Sequence, residues 1–290
     1  MSEMSVVFLH IPKTGGTTIN YILNDIYRWK FLWLRNDIIQ QQSNFLNPID
    51  IFNKIAKSKI KKFKAFSGHG IFPLLDILPS GYVSVLLARN PLQQIPSLYY
   101  HHLRHKSNSP SSIEARSHKT LYDFVTSESD YYPNPQIKSL FSDKLELLED
   151  SSDAKALIEK MVIEQIDLCG ITERFDDFLA LVCSSLNWKV FSFKMMNQRP
   201  DNSPNLNSVI KNEILNRNKL DFFLYKTVKD KFLDLEKEYN SSSNFTTTKS
   251  ITLSSKVINR IQQHRLASMA NLELKKELQL KSVLLKYFTR

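Results

Sequence analysis

The sequence is poor in cysteine, short of acid and free of long apolar runs. Two cysteines, Cys169 and Cys183, stand among 290 residues. They cannot build a disulfide framework, so the chain reads as one for a reducing compartment. Both thiols read as small buried apolar groups. No stretch approaches the ~18 apolar residues that a membrane span needs. No secretory leader is expected, because Glu3 sits in the N-terminal stretch and a β-rich apolar run begins at Ser5. These absences lead to the expectation of a cytoplasmic protein. Neither a G-x-G-x-x-G dinucleotide fingerprint nor a G-x-x-x-x-G-K-[ST] loop occurs, and no internal repeat is present.

The shortage of acid leaves 39 Lys and Arg against 29 Asp and Glu, a net charge of +10. Such a balance favours anionic partners: a nucleotide, an acidic glycan, nucleic acid or a membrane surface. The charge is uneven. From Lys249 to Arg290 nine basic residues face only Glu273 and Glu277, which leaves +7 in that segment. The rest of the chain is mildly basic, so a nucleic-acid footprint is not expected. Ser241–Thr248 is a polar linker candidate. We therefore expect a main domain over 1–245 and a basic, helical extension over 246–290. That tail is compatible with peripheral membrane contact, although helices of this kind more often pack or meet partners.

With 42% hydrophobic residues the main domain has ample material for a core. Ser5–His10 and Tyr82–Ala88 are apolar and rich in β-formers, as buried parallel strands should be. Phe63–Ser67 and Ile166–Ile171 read as further strands. Helices are expected after Gly16, over Ile49–Ile60, from Pro91 with a kink at Pro96, from Leu121, from Asn134, over Ala154–Gln165 and Glu173–Leu186, and over Ile210–Tyr239. Alternating strands and helices predict an α/β fold, a mostly parallel sheet flanked by helices and P-loop-like in build. Ligands of such sheets bind outside the carboxyl ends of the strands. His10–Thr18, His69 and Arg89 all fall there.

His10-Ile-Pro-Lys-Thr-Gly-Gly-Thr-Thr18 carries the most chemistry. A strand runs into a glycine turn and a helix start, which Thr17 and Thr18 are placed to cap. Helix-start amides and a positive dipole end, closed around by Gly15 and Gly16, suit a phosphate, and Lys13 adds a full charge. The lysine precedes the glycines, unlike that of a Walker loop. Arg89, at a strand end, and Ser97, eight residues on, are spaced to meet one phosphate, the arginine by a bidentate grip and the serine as a neutral donor. His69 lies between two glycines, and a neutral imidazole is matched to taking a proton from a hydroxyl near pH 7. The chain reads as one that handles a phosphorylated nucleotide.

The string His10–Thr18 resembles the 5′-phosphosulfate loop of carbohydrate sulfotransferases, with the heparan sulfate 2-O- and 6-O-sulfotransferase-like group the closest in look. Ala88-Arg-Asn-Pro-Leu-Gln-Gln-Ile-Pro-Ser-Leu-Tyr99 resembles that family's 3′-phosphate motif, R-D-P-x-x-R-x-x-S-x-Y, with Asn90 for the aspartate and Gln94 for the second arginine. Ser67-Gly-His-Gly70 resembles the element that carries the base. Asn134-Pro-Gln136, Gly170–Glu173, Asn197–Arg199 and Leu215–Asp221 with Leu224-Tyr225 resemble shorter family elements. The resemblance runs from about Val6 to Tyr239. It implies a sulfotransferase (EC 2.8.2.-) that takes a sulfuryl group from 3′-phosphoadenosine 5′-phosphosulfate (PAPS), releases PAP, and acts on a hydroxyl of a carbohydrate or glycoconjugate, which could itself be acidic. By this resemblance Lys13, Thr14, Gly15, Gly16, Thr17 and Thr18 hold the 5′ end, Arg89 and Ser97 hold the 3′-phosphate, and His69 and Lys13 are catalytic. No metal is required.

Two other classes fit parts of the sequence. One is a nucleotide kinase or NTPase with a variant phosphate loop, which lacks the Walker lysine and a clear Mg²⁺-binding aspartate at a strand end. The other is an inactive PAP- or polyanion-binding module, which Asn90 and Gln94 keep open. His101 and His105 share a helix face, but no cysteine or spaced carboxylate completes a zinc site. The lysine run of Lys54–Lys64 is a solvated face or an acceptor-side patch.

Overall fold

The computed structural model describes residues 4–34, 62–78, 81–104, 109–128, 132–141, 151–188 and 206–242. These residues fall in one compact unit, Met1–Asn244. The expected extension over 246–290, the expected helix over 49–60, the lysines from 54 to 61, His105 and Asn197–Arg199 lie outside the described residues.

The strands are β1 (Ser5–Leu9), β2 (Phe31–Leu34), β3 (Ala65–Gly68), β4 (Tyr82–Ala88) and β5 (Leu168–Ile171). They form one sheet in the order β2-β3-β1-β4-β5. Every pairing is parallel. β1, β3 and β5 are buried at every position, as strands covered on both faces must be. The register places Leu9 beside Gly68 on one side and Leu86 on the other, and Ala88 beside Ile171. The carboxyl ends of β3, β1, β4 and β5 therefore open at one level. Chain order leaves β1 toward β2 and leaves β4 toward β5, so the crevice lies between β1 and β4.

The helices are α1 (Gly16–Tyr27), α2 (Leu74–Ile77), α3 (Pro91–Arg104), α4 (Pro110–Ser117), α5 (Leu121–Thr126), α6 (Pro135–Leu140), α7 (Ser151–Lys160), α8 (Phe175–Ser185), α9 (Ser208–Arg217) and α10 (Lys219–Ser242). The main core joins the sheet to α1, α7, α8 and α10 through residues such as Phe8, Ile19, Phe66, Leu87, Phe178 and Phe232. A second cluster, with Ile95, Tyr99, Phe124, Tyr132 and Ile214, seats α3 against α5 and α9. Two polar side chains pin elements of this frame together. Ser84 on β4 receives the amide of Asp167 at 2.8 Å and gives its hydroxyl to the Gln165 carbonyl at 2.7 Å, which pins β4 to the start of β5. Lys231 on α10 donates to the carbonyls of Val162 at 2.8 Å and Ile163 at 3.0 Å, and to that of Ile166, closing the π-helical turn Met161–Gln165.

The expected α/β fold is the observed one, with two differences of detail. β2 falls in a segment with no clear period; its first three residues are only half-buried because it is the sheet edge. The helix expected over Ile210–Tyr239 is two helices, broken at Asn218. That side chain is fully buried, and its Nδ2 donates to the Ile214 carbonyl at 2.9 Å and the Tyr132 hydroxyl at 3.1 Å. Its Oδ1 accepts from the Asn134 amide at 2.8 Å, so local side-chain bonds displace the helical ladder there. α3 continues through Pro96.

Burial pushes the thiols of Cys169 and Cys183 up to about 12, which keeps both protonated near neutral pH. The folded protein should react negligibly with a thiol-exchange reagent at neutral pH over minutes. Unfolding in guanidinium should then release both.

Candidate functional site

β1 delivers the chain into a loop whose shape is set by two left-handed residues, Lys13 (φ 66°) and Gly15 (φ 92°). A lysine rarely holds that conformation, so the loop is fixed from outside. Thr14 is fully buried and donates its hydroxyl to the Ile11 carbonyl at 2.9 Å. Thr172, just past β5, lies with its hydroxyl 2.7 Å from the Thr14 carbonyl and 3.0 Å from that of Ala88. Gly15, not Thr17 or Thr18, is the N-cap of α1, and no side chain caps it. The left-handed turn needs glycine at that place, so both threonines fall inside the first turn, where the Thr18 amide donates to the Gly15 carbonyl at 3.0 Å. No acidic residue stands in that turn. The positive end of α1 meets the loop unneutralised by any acid of its own.

Gly16 is required for another reason. A Cβ there would lie 2.0 Å from the Cδ2 of His10. His10 is buried, 5.6 Å from the Phe8 ring and 4.3 Å from that of His69 between centroids. Its Nδ1 accepts from the Asn20 side-chain amide at 3.2 Å. Burial, then the charges of His69 and Lys13, hold its pKa well below the ordinary imidazole value, so the ring is neutral.

His69 follows β3. Its Nδ1 lies 2.6 Å from the carbonyl oxygen of His10. A carbonyl only accepts, so Nδ1 carries the proton and, in the neutral ring, Nε2 carries the lone pair. The backbone of the phosphate-loop strand thus chooses the tautomer of His69. Gly70, at φ 66°, turns the chain away and anchors its amide on the Ser139 carbonyl at 2.9 Å.

Arg89 follows β4 across the crevice. Its Nη1 donates to the Lys13 carbonyl at 3.0 Å. Its amide and carbonyl are both held by the side chain of Gln136, at 3.0 and 2.8 Å. Asn90 accepts the Leu92 amide at 3.0 Å and so caps α3, a task an aspartate performs equally. Gln94 is fully buried and donates to the Pro12 carbonyl at 3.0 Å. It braces the loop and brings no charge. Ser97 is half-buried on α3, one turn beyond Gln94; among the described residues it bonds neither to Arg89 nor to the loop. The structure therefore gathers Lys13, Thr14–Thr18, His69 and Arg89 at one opening, with Ser97 on the helix that lines it.

The electrostatics call for an anion. Lys13 is lowered from 10.5 to about 8 by burial first, then by Arg104 and Arg89. Burial also lowers Arg89, with Glu173 as the opposing charge. The Arg89 Nε is buried with no protein partner. An unpaired buried guanidinium nitrogen, a lysine repelled by two arginines and a helix start without acid form a donor set that fits phosphate. The described residues hold no group of three His, Cys, Asp or Glu placed to share a metal ion. His102 is instead placed with its Nδ1 2.7 Å from the Ser112 hydroxyl. Sequence reading missed the bracing roles of Thr172 and Gln136, which act through contacts with the backbone of distant segments, and that of Asn20, which acts on the His10 ring.

The family model described as the sulfotransferase family matches residues 2–185. The chain belongs to the sulfotransferase family. Its matched part holds all five strands and ends at the last residue of α8. Sulfotransferases transfer a sulfuryl group, and the anion-seeking loop is the part of this one suited to that task. No curated protein matches the chain.

Because its pKa is near 8, Lys13 loses charge as pH rises through that value, and a bound anion favours the charged form. Calorimetric titration with inorganic pyrophosphate near pH 8 should show proton uptake, read from the dependence of the heat on buffer ionisation. Lys13→Met should remove that uptake, and wild-type affinity should fall above pH 8. Gly16→Ala, which drives a methyl into His10, should weaken pyrophosphate at least about tenfold, the equivalent of about 1.4 kcal/mol.

Proposed function

We propose that this sulfotransferase uses PAPS as its donor and carries the sulfuryl group to a hydroxyl of a carbohydrate or glycoconjugate. One observation carries the reading: a single loop holds both halves of the chemistry. Its His10 carbonyl orients His69, and its Lys13 carbonyl receives Arg89. The base and the phosphate-binding arginine are thereby fixed on one scaffold.

The first-turn amides of α1 and the Lys13 ammonium take the 5′-phosphate end. The Arg89 guanidinium, with its unpartnered Nε, takes the 3′-phosphate, and Ser97 adds a neutral donor from α3. Bound PAPS supplies the sulfuryl group and leaves as PAP, keeping the electron pair of the broken sulfur–oxygen bond. His69 Nε2 accepts the proton of the acceptor hydroxyl as its oxygen bonds to sulfur, and later yields that proton to solvent. Lys13 neutralises the charge that grows on the phosphate oxygen. Catalysis is mainly positioning and electrostatics, as in phosphoryl transfer. The acceptor class rests on the resemblance of His10–Thr18 to carbohydrate sulfotransferase loops, and the basic surroundings of the loop suit an acceptor that is itself anionic.

Calorimetry with PAP, AMP and ATP tests the donor. The wild type should prefer PAP to AMP, which lacks only the 3′-phosphate. Arg89→Ala should remove that preference, a loss of about 100-fold, the worth of a pair of charge-assisted hydrogen bonds. Tighter ATP binding, or equal affinity for AMP, would overturn the reading. Radiolabelled PAPS offered with a panel of glycans tests the transfer. His69→Ala should lower turnover by about 10²–10⁴ while leaving PAP affinity and the unfolding midpoint near wild type.

A further inference from the structure

α9 and α10 lie beyond the residues that match the family, yet α10 reaches the backbone of Arg89 by two routes. The first begins at Asp221, in its first turn. That carboxylate is fully buried; Oδ2 accepts the Gln136 amide at 3.0 Å and Oδ1 the Ile137 amide at 2.9 Å. These are amides of the first turn of α6. Its own N-cap residue, Asn134, is left-handed at φ 53° and makes no side-chain cap. Asn134 instead accepts the amides of Leu220 and Asp221, both at 3.1 Å. α6 and α10 thus cap each other. Gln136, locked by this exchange, turns its side-chain amide onto the peptide of Arg89, accepting from the amide and donating to the carbonyl. One amide side chain satisfies both backbone groups, as a neighbouring strand would.

The second route starts one turn further along α10. Burial, then the neighbouring Glu173 carboxylate, pushes the Tyr225 hydroxyl up to about 12. Glu173 Oε1 accepts the Asn90 amide at 2.9 Å. Two consecutive amides at the end of β4 are therefore held by side chains that α10 backs.

A carboxylate is a costly way to cap a buried helix: burial pushes Asp221 up to about 7, against the pull of the two amides. What it secures is the one segment from which a guanidinium crosses the crevice. We propose that Asp221 and Gln136 are positioning residues of the nucleotide site, Asp221 fixing Gln136 and Gln136 fixing the Arg89 backbone so that the guanidinium is preorganised for its phosphate. This rests on the reading of Arg89 as the 3′-phosphate ligand. A long side chain on a slack backbone would lose more freedom on binding, and affinity would fall although no direct contact had been removed.

The test is a double-mutant cycle with two readouts. Asp221→Asn keeps the volume but cannot accept both amides; Gln136→Met keeps the volume and removes both bonds to Arg89. Each variant, alone and with Arg89→Ala, is titrated with PAP and AMP. Each single variant should weaken PAP about tenfold and leave AMP near wild type. Each should add almost nothing once Arg89 is gone, because residues acting through one group are not additive. Equal losses for PAP and AMP, or full additivity with Arg89→Ala, would overturn the proposal and leave the pair merely structural. The second readout is amide hydrogen exchange, which needs no ligand. The Arg89 amide should exchange at least about tenfold faster in both variants while Val85–Leu87 stay protected. An unchanged Arg89 amide in a folded variant would sink the relay whatever nucleotide binds. If the wild type fails to prefer PAP to AMP, the donor assignment falls instead, and the exchange measurement still decides the relay. If Asp221→Asn does not fold, Gln136→Met carries the test alone.

Discussion

A hydrogen bond from the Arg89 guanidinium to the Lys13 carbonyl bridges the crevice between β1 and β4. Much of the site depends on that bridge. It ties the end of one central strand to the loop after the other. It also sets a guanidinium beside the Lys13 ammonium, whose pKa is lowered by burial first, then by Arg104 and Arg89. Such a cluster is electrostatically unfavourable without an anion, and the fold supports it through neutral braces. Gln94 holds Pro12, Thr172 holds Thr14, and Gln136 holds the Arg89 backbone. Each brace is a hydrogen bond that costs no charge, so the positive potential stays available to a ligand.

The same loop governs proton chemistry through its backbone. The carbonyl of His10 fixes which nitrogen of His69 can receive a proton. The ring of His10, neutral and buried, fills the space that Gly16 leaves empty. In the proposed mechanism phosphate binding and proton acceptance are geometrically coupled, because a shift of the His10 backbone displaces both the loop and His69. Placing the two functions on adjoining strand ends is what a parallel sheet offers at its switch point.

Much of this was legible in the sequence where the determinant is local. The apolar runs of β1 and β4 announce buried strands, and the Lys13–Thr18 turn announces an anion site. Arg89 and His69 stand at strand ends that those runs define. The edge strand β2 was not legible, since Phe31–Trp33 is only half-buried and the segment carries no period. The break at Asn218 was hidden too, because Tyr132 and Asn134, its partners outside the helix, lie more than eighty residues earlier. Thr17 and Thr18 looked like caps, but the left-handed Gly15 took that place. Asn90 looked like a loss and is a working cap; Gln94 looked like a lost charge and is a brace. Local patterns betray elements and ligating groups, whereas bracing depends on which distant backbones meet.

The mutual capping of α6 and α10 bears on how the protein is made. The loop, His69 and Arg89 are all synthesised within the first third of the chain, but the residues that steady the Arg89 peptide include Asp221, through Gln136. A nascent chain emerging from the ribosome holds the residues proposed to bind the nucleotide long before it holds Asp221. On the proposed relay, tight nucleotide capture becomes a late event in biogenesis, reserved for chains whose synthesis has passed the first turn of α10.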